Sequence, residues 1–280
     1  IQNLKTGRKV TSGISTGFEE LDKMTGGFQP SNLIIIAGRP SMGKTSFCMN
    51  IVAHIAIRTK QPVGVFSVEM SRDELMLRLI CTESWSNYFH IKNGIISPEK
   101  FVDITNTAEV IKNSPIYIEE SSTLTSFDIR THSRRLAQEL KAQDKKLAMI
   151  AIDYLQLLCG HGRTENRQQE IAEISRSLKA LARELKIPVV AVSQLSRKTE
   201  ERGREGRPVL SDLRESGAIE QDADLVIFIY REEYYKQLDP DLKGKAEIII
   251  AKQRNGPTGK IEMKFFHEHT RFAPLAKAEQ

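Results

Sequence analysis

Residues 33–45 read LIIIAGRPSMGKT, and this stretch decides the fold. Its last eight residues fit the phosphate-binding pattern G-x-x-x-x-G-K-[ST], and they directly follow the apolar run 33–37. A helical pattern over 46–58 comes next, so the order is strand, phosphate-binding loop and helix. A chance glycine-rich turn is the alternative, and the strand and helix patterns on either side argue against it. The chain is therefore expected to bind a nucleoside triphosphate.

Each residue type in this loop has a physical reason to be there. The glycines let the backbone fold so that its N–H groups face phosphate oxygens. Lys44 adds positive charge near the outer phosphates, and the Thr45 hydroxyl is suited to binding Mg²⁺. The predicted nucleotide-binding residues are Gly38, Ser41, Met42, Gly43, Lys44, Thr45 and Ser46.

Length and composition indicate a soluble protein with one large domain, or one domain and a tail. The chain has 280 residues, 40% of them hydrophobic, and no apolar run as long as a membrane span. Residues 1–10 carry no signal-peptide pattern and are interpreted as a polar lead-in. Three scattered cysteines, Cys48, Cys81 and Cys159, favour reduced thiols in the cytoplasm. A net charge of +5 permits nucleic-acid binding where basic groups cluster.

Apolar runs separated by helical patterns recur along the chain and predict an α/β fold. They lie at 33–37, 63–68, 147–152, 189–192, 225–230 and 248–251. We expect a mostly parallel, twisted sheet with helices on both faces. The alternating segment 260–265, preceded by a glycine- and proline-containing turn, predicts a C-terminal hairpin with the run at 248–251, and hence an antiparallel edge.

Helix starts and one long helix are also visible. Capping patterns predict helices beginning near Ser71, Ser97 and Thr125. An apolar stripe over 167–186 predicts the longest helix, which packs on the sheet.

In open α/β sheets, ligands bind beyond the carboxyl ends of the strands, so polar residues that follow the apolar runs are candidate site residues. Glu69 follows the second run and Asp153 the third. Asp153 suits a magnesium site together with Thr45, and Glu69 suits activation of the attacking water. For each acid, a helix or turn cap is the structural alternative.

Three further polar residues follow later runs. Gln194 can donate and accept hydrogen bonds, which suits a sensor of the terminal phosphate, although a turn is equally consistent. Lys252 and Arg254 are two apart on an extended segment, so their side chains leave the same face. Such paired cations fit an arginine finger, which would serve a neighbouring subunit if Lys252 lies far from Lys44. An exposed, solvated edge is the other interpretation.

A basic segment is the candidate nucleic-acid contact. Arg197, Lys198, Arg202, Arg204 and Arg207 precede the sequence SDLRESG at 211–217. Arg214 and backbone N–H groups near Gly217 could bind the phosphates of a polymer, independently of base sequence. A solvated charged loop is the alternative, because three glutamates dilute the charge. His267 and His269 are interpreted as surface residues, and Trp85 as a packing residue.

As a set, these motifs resemble the replicative DnaB-type helicases. The matching segments are GRPSMGKTSF at 38–47, FSVEM at 66–70, IDYLQLL at 152–158, SQLSR at 193–197, SDLRESGAIEQDADL at 211–225 and AKQRNGPTG at 251–259. The resemblance is to the carboxyl-terminal RecA-like ATPase domain, a P-loop NTPase fold, and it fits a phage-encoded member as well. It implies a motor domain over 13–275, a linker remnant at 1–12 and a tail at 276–280.

The resemblance further implies a homo-hexameric ring that hydrolyses ATP with Mg²⁺ and moves along single-stranded DNA in the cytoplasm. It makes Glu69 the catalytic glutamate, Gln194 the phosphate sensor, and Lys252 and Arg254 cations that act on the adjacent subunit's site. Arg214, Glu215 and Gly217 would contact DNA. A helicase loader and primase are implied as partners of the full-length protein, with no membrane. The alternatives are a RecA-type repair or recombination ATPase and a nucleotide-dependent switch that is not a motor.

Overall fold

The structure is a computed structural model and describes residues 12–158, 167–196, 206–236 and 238–275. Residues 1–11 of the predicted linker, the predicted tail, Cys159 and most of the basic segment lie outside these residues. The described strands form one sheet in the order β3-β2-β4-β5-β1-β6-β7-β8-β9. They are β1 (Leu33–Gly38), β2 (Val63–Ser67), β3 (Ile116–Glu120), β4 (Met149–Asp153), β5 (Val189–Gln194), β6 (Leu225–Tyr230), β7 (Lys245–Gln253), β8 (Gly259–Phe266) and β9 (Arg271–Pro274).

Helices cover both faces of this sheet, as predicted. They are α1 (Glu19–Thr25), α2 (Lys44–Ala53), α3 (Arg72–Ser84), α4 (Tyr88–Lys92), α5 (Pro98–Lys112), α6 (Ser126–Lys141), α7 (Arg167–Leu185) and α8 (Gly217–Asp222). A π-helical turn, His54–Arg58, continues α2 to the residue where the sequence pattern ends. Among the described residues, no helix has both the length and the apolarity that crossing a bilayer requires.

Strand β1 lies in the middle of the parallel part and explains why its sequence is apolar throughout. It pairs in parallel with β5 on one side and β6 on the other, and all six of its residues are buried. Because side chains alternate along a strand, Ile34 and Ile36 join the core beneath α2 and α3, whereas Leu33 and Ile35 join the core beneath α6 and α7.

The predicted helix starts are confirmed. The Ser71 and Ser97 hydroxyls accept from the Glu74 and Lys100 N–H groups, at 3.2 and 3.3 Å. Thr125 and Asp128 form a reciprocal capping box at the start of α6.

The predicted C-terminal hairpin is confirmed, and two strands were missed. β6, β7, β8 and β9 pair antiparallel in succession, so the outermost strand on this side is β9 and not β8. β9 is only four residues long, and β3 at the opposite edge is half-buried, so neither gives a long apolar run. The described cysteines, Cys48 and Cys81, are buried and unpaired, and burial raises the pKa of the Cys81 thiol to about 11.

Candidate active site

The predicted phosphate-binding loop joins β1 to α2 at the carboxyl edge of the sheet. Ser41 and Gly43 have positive φ angles of 64° and 92°. A Cβ on Gly43 would lie 3.0 Å from the Phe272 ring and 3.3 Å from the Phe265 ring, so both conformation and space require glycine there. Met42 is buried, so this predicted residue can offer a nucleotide its backbone but not its side chain.

The Lys44 amine is held inside the loop. Its Nζ donates to the Arg39 carbonyl at 2.9 Å. Burial lowers the pKa of Lys44 to about 8, and the nearby carboxylates of Asp153 and Glu69 oppose that shift. An anion placed in the loop would therefore favour the charged amine.

Asp153 ends β4, and burial makes the ionised form of its carboxyl group unfavourable. Asp153 is 5% exposed, and neither of its carboxylate oxygens meets full hydrogen-bond geometry with another described residue. Burial raises the pKa of Asp153 to about 6; Glu69 adds to the rise, whereas the Thr45 hydroxyl and Lys44 oppose it. A buried carboxylate without partners beside a threonine hydroxyl is a donor set that suits Mg²⁺.

One cavity of about 600 Å³, a size that suits a small-molecule ligand, brings together three of the predicted strand-end residues, Glu69, Asp153 and Gln194. Its walls include Ser41, Gly43, Lys44, Thr45, Ser46, Glu69, Asp153 and Gln194. Glu69 is exposed and follows β2, whereas Gln194 is the last residue of β5 and pairs with Gly38 at the end of β1. Sequence reasoning therefore identified the acids, the amide and the loop that share this cavity.

Lys252 and Arg254 do not line this cavity. The sequence analysis grouped them with the residues at the carboxyl ends of the parallel strands, and that grouping is wrong. β7 runs antiparallel to β6, and Gln253 pairs with Leu225 at the start of that strand. The end of β7 therefore lies at the amino edge of the parallel strands, opposite the phosphate-binding loop. An apolar run followed by polar residues does not reveal strand direction, and this caused the error.

The two cations do converge, as predicted, and they do so on the carboxyl end of α8. Lys252 Nζ donates to the Ala223 carbonyl at 2.8 Å, and Arg254 donates to the Gln221 carbonyl at 2.6 Å. Arg254 also lies 3.5 Å from the Asp224 carboxylate. Burial, followed by the charge of Arg254, lowers the pKa of Lys252.

The predicted DNA segment leads into the same helix. Arg214 and Glu215 belong to a short 3-10 segment, Leu210–Ser216, and their side chains lie outside the description. Gly217 begins α8 in an ordinary helical conformation, and a Cβ there would meet nothing within 4 Å. Arg207 is already engaged: it pairs with Glu247 and lies over the Tyr230 ring, 5.0 Å from its centroid. Its place in the candidate nucleic-acid cluster stays a prediction, because its side chain is still 40% exposed.

The sequence pattern of the DnaB-like helicase C terminal domain matches residues 13–274. The chain belongs to this family. The DnaB-like domain is 51% identical to the replicative DNA helicase DnaB of Geobacillus stearothermophilus, over 95% of this chain and 57% of that protein. It is 46% identical to the replicative DNA helicase DnaC of Bacillus subtilis, over 99% of this chain and 60% of that protein. The chain thus spans less than two thirds of the length of these relatives.

Solved structures agree with the family assignment. The ATPase domain of G40P superimposes with a TM-score of 0.91 at 37% identity, covering 98% of this chain and 95% of that one. A DnaB-like replicative helicase, solved in a study of its interactions with primase, also gives 0.91 at 37% identity, over 98% of this chain and 65% of that one. The predicted resemblance and the RecA-like fold are confirmed.

Sequence reasoning missed the outer wall of the cavity in this DnaB-like domain. That wall includes Glu74, Arg78, Tyr88, Tyr154, Phe265, His267 and Thr270. His267 is exposed, as predicted for a surface residue, and it also lines the cavity, whereas His269 is half-buried with a buried Nδ1. The Trp85 ring packs on the Phe266 ring with their centroids 5.2 Å apart, as expected of a packing residue, although Trp85 is 42% exposed. No spacing rule indicates this wall, because its residues come from distant parts of the chain: α3, α4, the residue after β4 and the segment from β8 to Thr270.

Proposed function

We propose that this chain is the motor domain of a replicative DNA helicase that hydrolyses ATP to move along single-stranded DNA and unwind duplex. The observation that carries the proposal is the meeting of Lys44, Thr45, Glu69, Asp153 and Gln194 in one cavity of a DnaB-like domain. The proposal places the motor at 13–275, with 1–12 as a linker remnant and 276–280 as a tail. Its buried, unpaired thiols suit the cytoplasm.

Triphosphate binding is assigned to the loop after β1. Backbone N–H groups from Ser41 to Ser46 point toward the phosphates, and the Lys44 amine exchanges its bond to the Arg39 carbonyl for phosphate oxygens. Gly38 and Gly43 permit this backbone path.

Magnesium binding is assigned to the Thr45 hydroxyl and Asp153. Mg²⁺ held there would neutralise charge that develops on the phosphate oxygens. Asp153 contributes a buried carboxylate whose oxygens have no other partner among the described residues. Its negative charge becomes favourable only when a cation or the Lys44 ammonium compensates it.

Water activation is assigned to Glu69 and phosphate sensing to Gln194. Glu69 is exposed on the cavity wall, so its carboxylate can accept a proton from a water aligned with the terminal phosphate. Gln194 sits beside the loop because β5 pairs with β1 up to Gly38. Its amide can donate to the terminal phosphate and lose that bond after hydrolysis.

The transition-state cations are assigned to the neighbouring subunit. Lys252 and Arg254 lie at the opposite edge of the sheet from Lys44, so they cannot serve the site of their own chain. A head-to-tail ring brings that edge of one subunit to the cavity of the next. We therefore propose a homo-hexamer in which each site is completed in trans.

DNA contact is assigned to the segment that contains Arg214, Glu215 and Gly217. The open space around Gly217 lets a DNA backbone approach its peptide closely. Primase is proposed as a partner of the full-length protein, since one DnaB-like relative was solved in a study of its interactions with primase. A helicase loader is proposed on the family resemblance alone.

The test is ATP hydrolysis by the chain with and without single-stranded DNA at low salt, where phosphate contacts are strongest. We expect DNA to raise the rate and added salt to reduce the stimulation. A rate that DNA leaves unchanged would favour the switch, which is not a motor. Electron micrographs of the ATP-bound assembly separate closed rings from the filaments that a RecA-type recombination ATPase would form.

A further inference from the structure

The side chain of Gln156 forms hydrogen bonds with the last two residues of β5. Its Nε2 donates to the Ser193 hydroxyl at 2.8 Å and to the Gln194 carbonyl at 3.0 Å. Its Oε1 accepts from the Gln194 N–H at 3.0 Å. The amide group of Gln156 thus pairs with the peptide of Gln194 in both directions.

The Gln156 amide takes the place of β4 beside the last residue of β5, because β4 has already ended there. β4 pairs with β5 from Ile150 to Ile152, and after Asp153 the chain turns into the short 3-10 segment Leu155–Leu157. β5 continues to Gln194, which pairs with Gly38 of β1 on its other side. Among side chains, only Asn and Gln carry an amide group, which offers the same neutral donor and acceptor as a peptide. The Gln194 peptide is therefore fixed from both sides, one side depending on Gln156.

The main chain of Gln156 is itself anchored. Its carbonyl accepts from the Arg167 guanidinium at the start of α7, and Arg167 also reaches the Leu158 carbonyl at 3.5 Å. The 3-10 segment is thereby tied to α7. A shift of this segment relative to α7 would be transmitted to the peptide of Gln194.

We propose that Gln156 is a positioning residue, which holds the Gln194 side chain where it can bond the terminal phosphate. The proposal rests on the function proposed above. Gln156 is absent from the cavity walls, so it acts through Gln194 and not on the nucleotide. Its loss should slow hydrolysis while leaving nucleotide binding, which depends on the phosphate-binding loop, nearly unchanged.

The test compares Gln156→Met, which keeps the length of the side chain and removes all three bonds, with wild type. We expect kcat for ATP to fall about 10- to 100-fold, the range for a misplaced reacting group, with KM and the affinity for a fluorescent ATP analogue within about two-fold. The matched control is Gln169→Met, an exposed glutamine near the start of α7, which should behave as wild type.

A double-mutant cycle separates positioning from general damage. In the Gln194→Ala background, Gln156→Met should cost no further activity, because its effect passes through the absent amide. Gln156→Glu keeps only the acceptor for the Gln194 N–H, so it should lose less activity than Gln156→Met. If Gln156→Met does not fold, Gln156→Glu replaces it in the comparison with wild type.

The outcomes are distinct. An inactive wild-type chain contradicts the proposed function itself, and the positioning role with it. An active wild type with an equally active Gln156→Met, or a full additional loss in the Gln194→Ala background, overturns the positioning role alone.

Discussion

Burial of a carboxylate without partners makes Asp153 costly to the nucleotide-free protein. Its pKa of about 6 in the folded chain is above the ordinary 3.8, so the folded state binds the proton more tightly. That contribution to stability is present below pH 3.8 and is lost as the pH rises through 6. The same carboxylate is the one that suits Mg²⁺, so a bound cation would compensate a charge that Lys44 offsets only in part.

Asp153→Asn should therefore stabilise the chain in the absence of nucleotide. At pH 8 in chelator, we expect the free energy of unfolding to exceed that of wild type by up to about 3 kcal/mol, with the gap closing toward pH 4. Urea unfolding at several pH values measures it. ATP with Mg²⁺ should stabilise wild type more than ATP without Mg²⁺ does. In the variant, adding Mg²⁺ to ATP should give no further stabilisation. A gap that does not vary with pH would contradict this account of Asp153.

His54 gives a pH dependence of the opposite sign. Its ring packs against Gly17, and its Nε2 lies 3.3 Å from the Ser15 hydroxyl. Burial lowers the pKa of His54, while the charges of Asp22 and Glu83 raise it and that of Arg58 lowers it further. Its contribution to stability is present above pH 6.5 and is lost as the pH falls through the lowered value.

We expect His54→Gln to lose less stability than wild type between pH 7.5 and pH 5.5, since glutamine cannot gain a proton. Thermal unfolding of both chains across this range is the measurement. Parallel pH profiles would show that His54 is not the group responsible.

Among the secondary-structure elements, α8 links the two predicted functional segments outside the cavity. Gly217 begins this helix, and Lys252 binds carbonyls at its other end. A cation at a helix carboxyl end stabilises the helix through the dipole and the free carbonyls. The proposed DNA segment and the proposed trans cations are therefore connected through one short helix.

Lys252→Met should loosen α8 specifically. We expect hydrogen exchange of the α8 amides to accelerate by an amount equivalent to about 1 kcal/mol, with the strands of the sheet unchanged. Lys260→Met, at an exposed lysine of β8 paired with Glu262, is the control and should leave α8 as in wild type. Equal exchange in wild type and Lys252→Met would mean that the lysine does not stabilise the helix.

The sequence was sufficient for features that are local in the chain. The phosphate-binding loop, the capped helix starts, the acid after β2 and the acid that ends β4 all follow from neighbouring residues. Gln156 and the outer cavity wall could not be predicted, because their partners come from distant strands and helices. The direction of β7 likewise depends on its antiparallel pairing with β6, which places Lys252 and Arg254 at the opposite edge of the sheet from the phosphate-binding loop.

At the scale of the whole molecule, the cavity of one chain does not include the two cations proposed for the transition state. The described walls of the cavity contain Lys44 and Arg78, and neither Lys252 nor Arg254 is among them. Assembly should therefore control hydrolysis more strongly than binding. We expect ATP with Mg²⁺ to raise the molar mass in light scattering toward that of a hexamer, and hydrolysis per chain to rise with protein concentration. Full turnover by the monomer would contradict this dependence.

Arg254→Ala should bind ATP as wild type does but fail to hydrolyse it in the assembled ring. The expected loss is about 10³-fold or more in kcat, as for other arginine fingers. Nucleotide affinity and ring assembly, measured by a fluorescent analogue and by light scattering, should stay near wild type. Normal turnover in the assembled variant would remove Arg254 from the reaction.

The most direct test of a site completed in trans mixes two inactive variants. Lys44→Ala lacks a working phosphate-binding loop but keeps Arg254, whereas Arg254→Ala keeps the loop and lacks the finger. Co-assembled at equal amounts, with mixed rings verified by native mass spectrometry, they form some interfaces in which an intact loop faces an intact finger. The account predicts that ATP hydrolysis recovers, up to about a quarter of the wild-type rate for random mixing in a head-to-tail ring. Mixed rings that remain as inactive as either variant alone would contradict it.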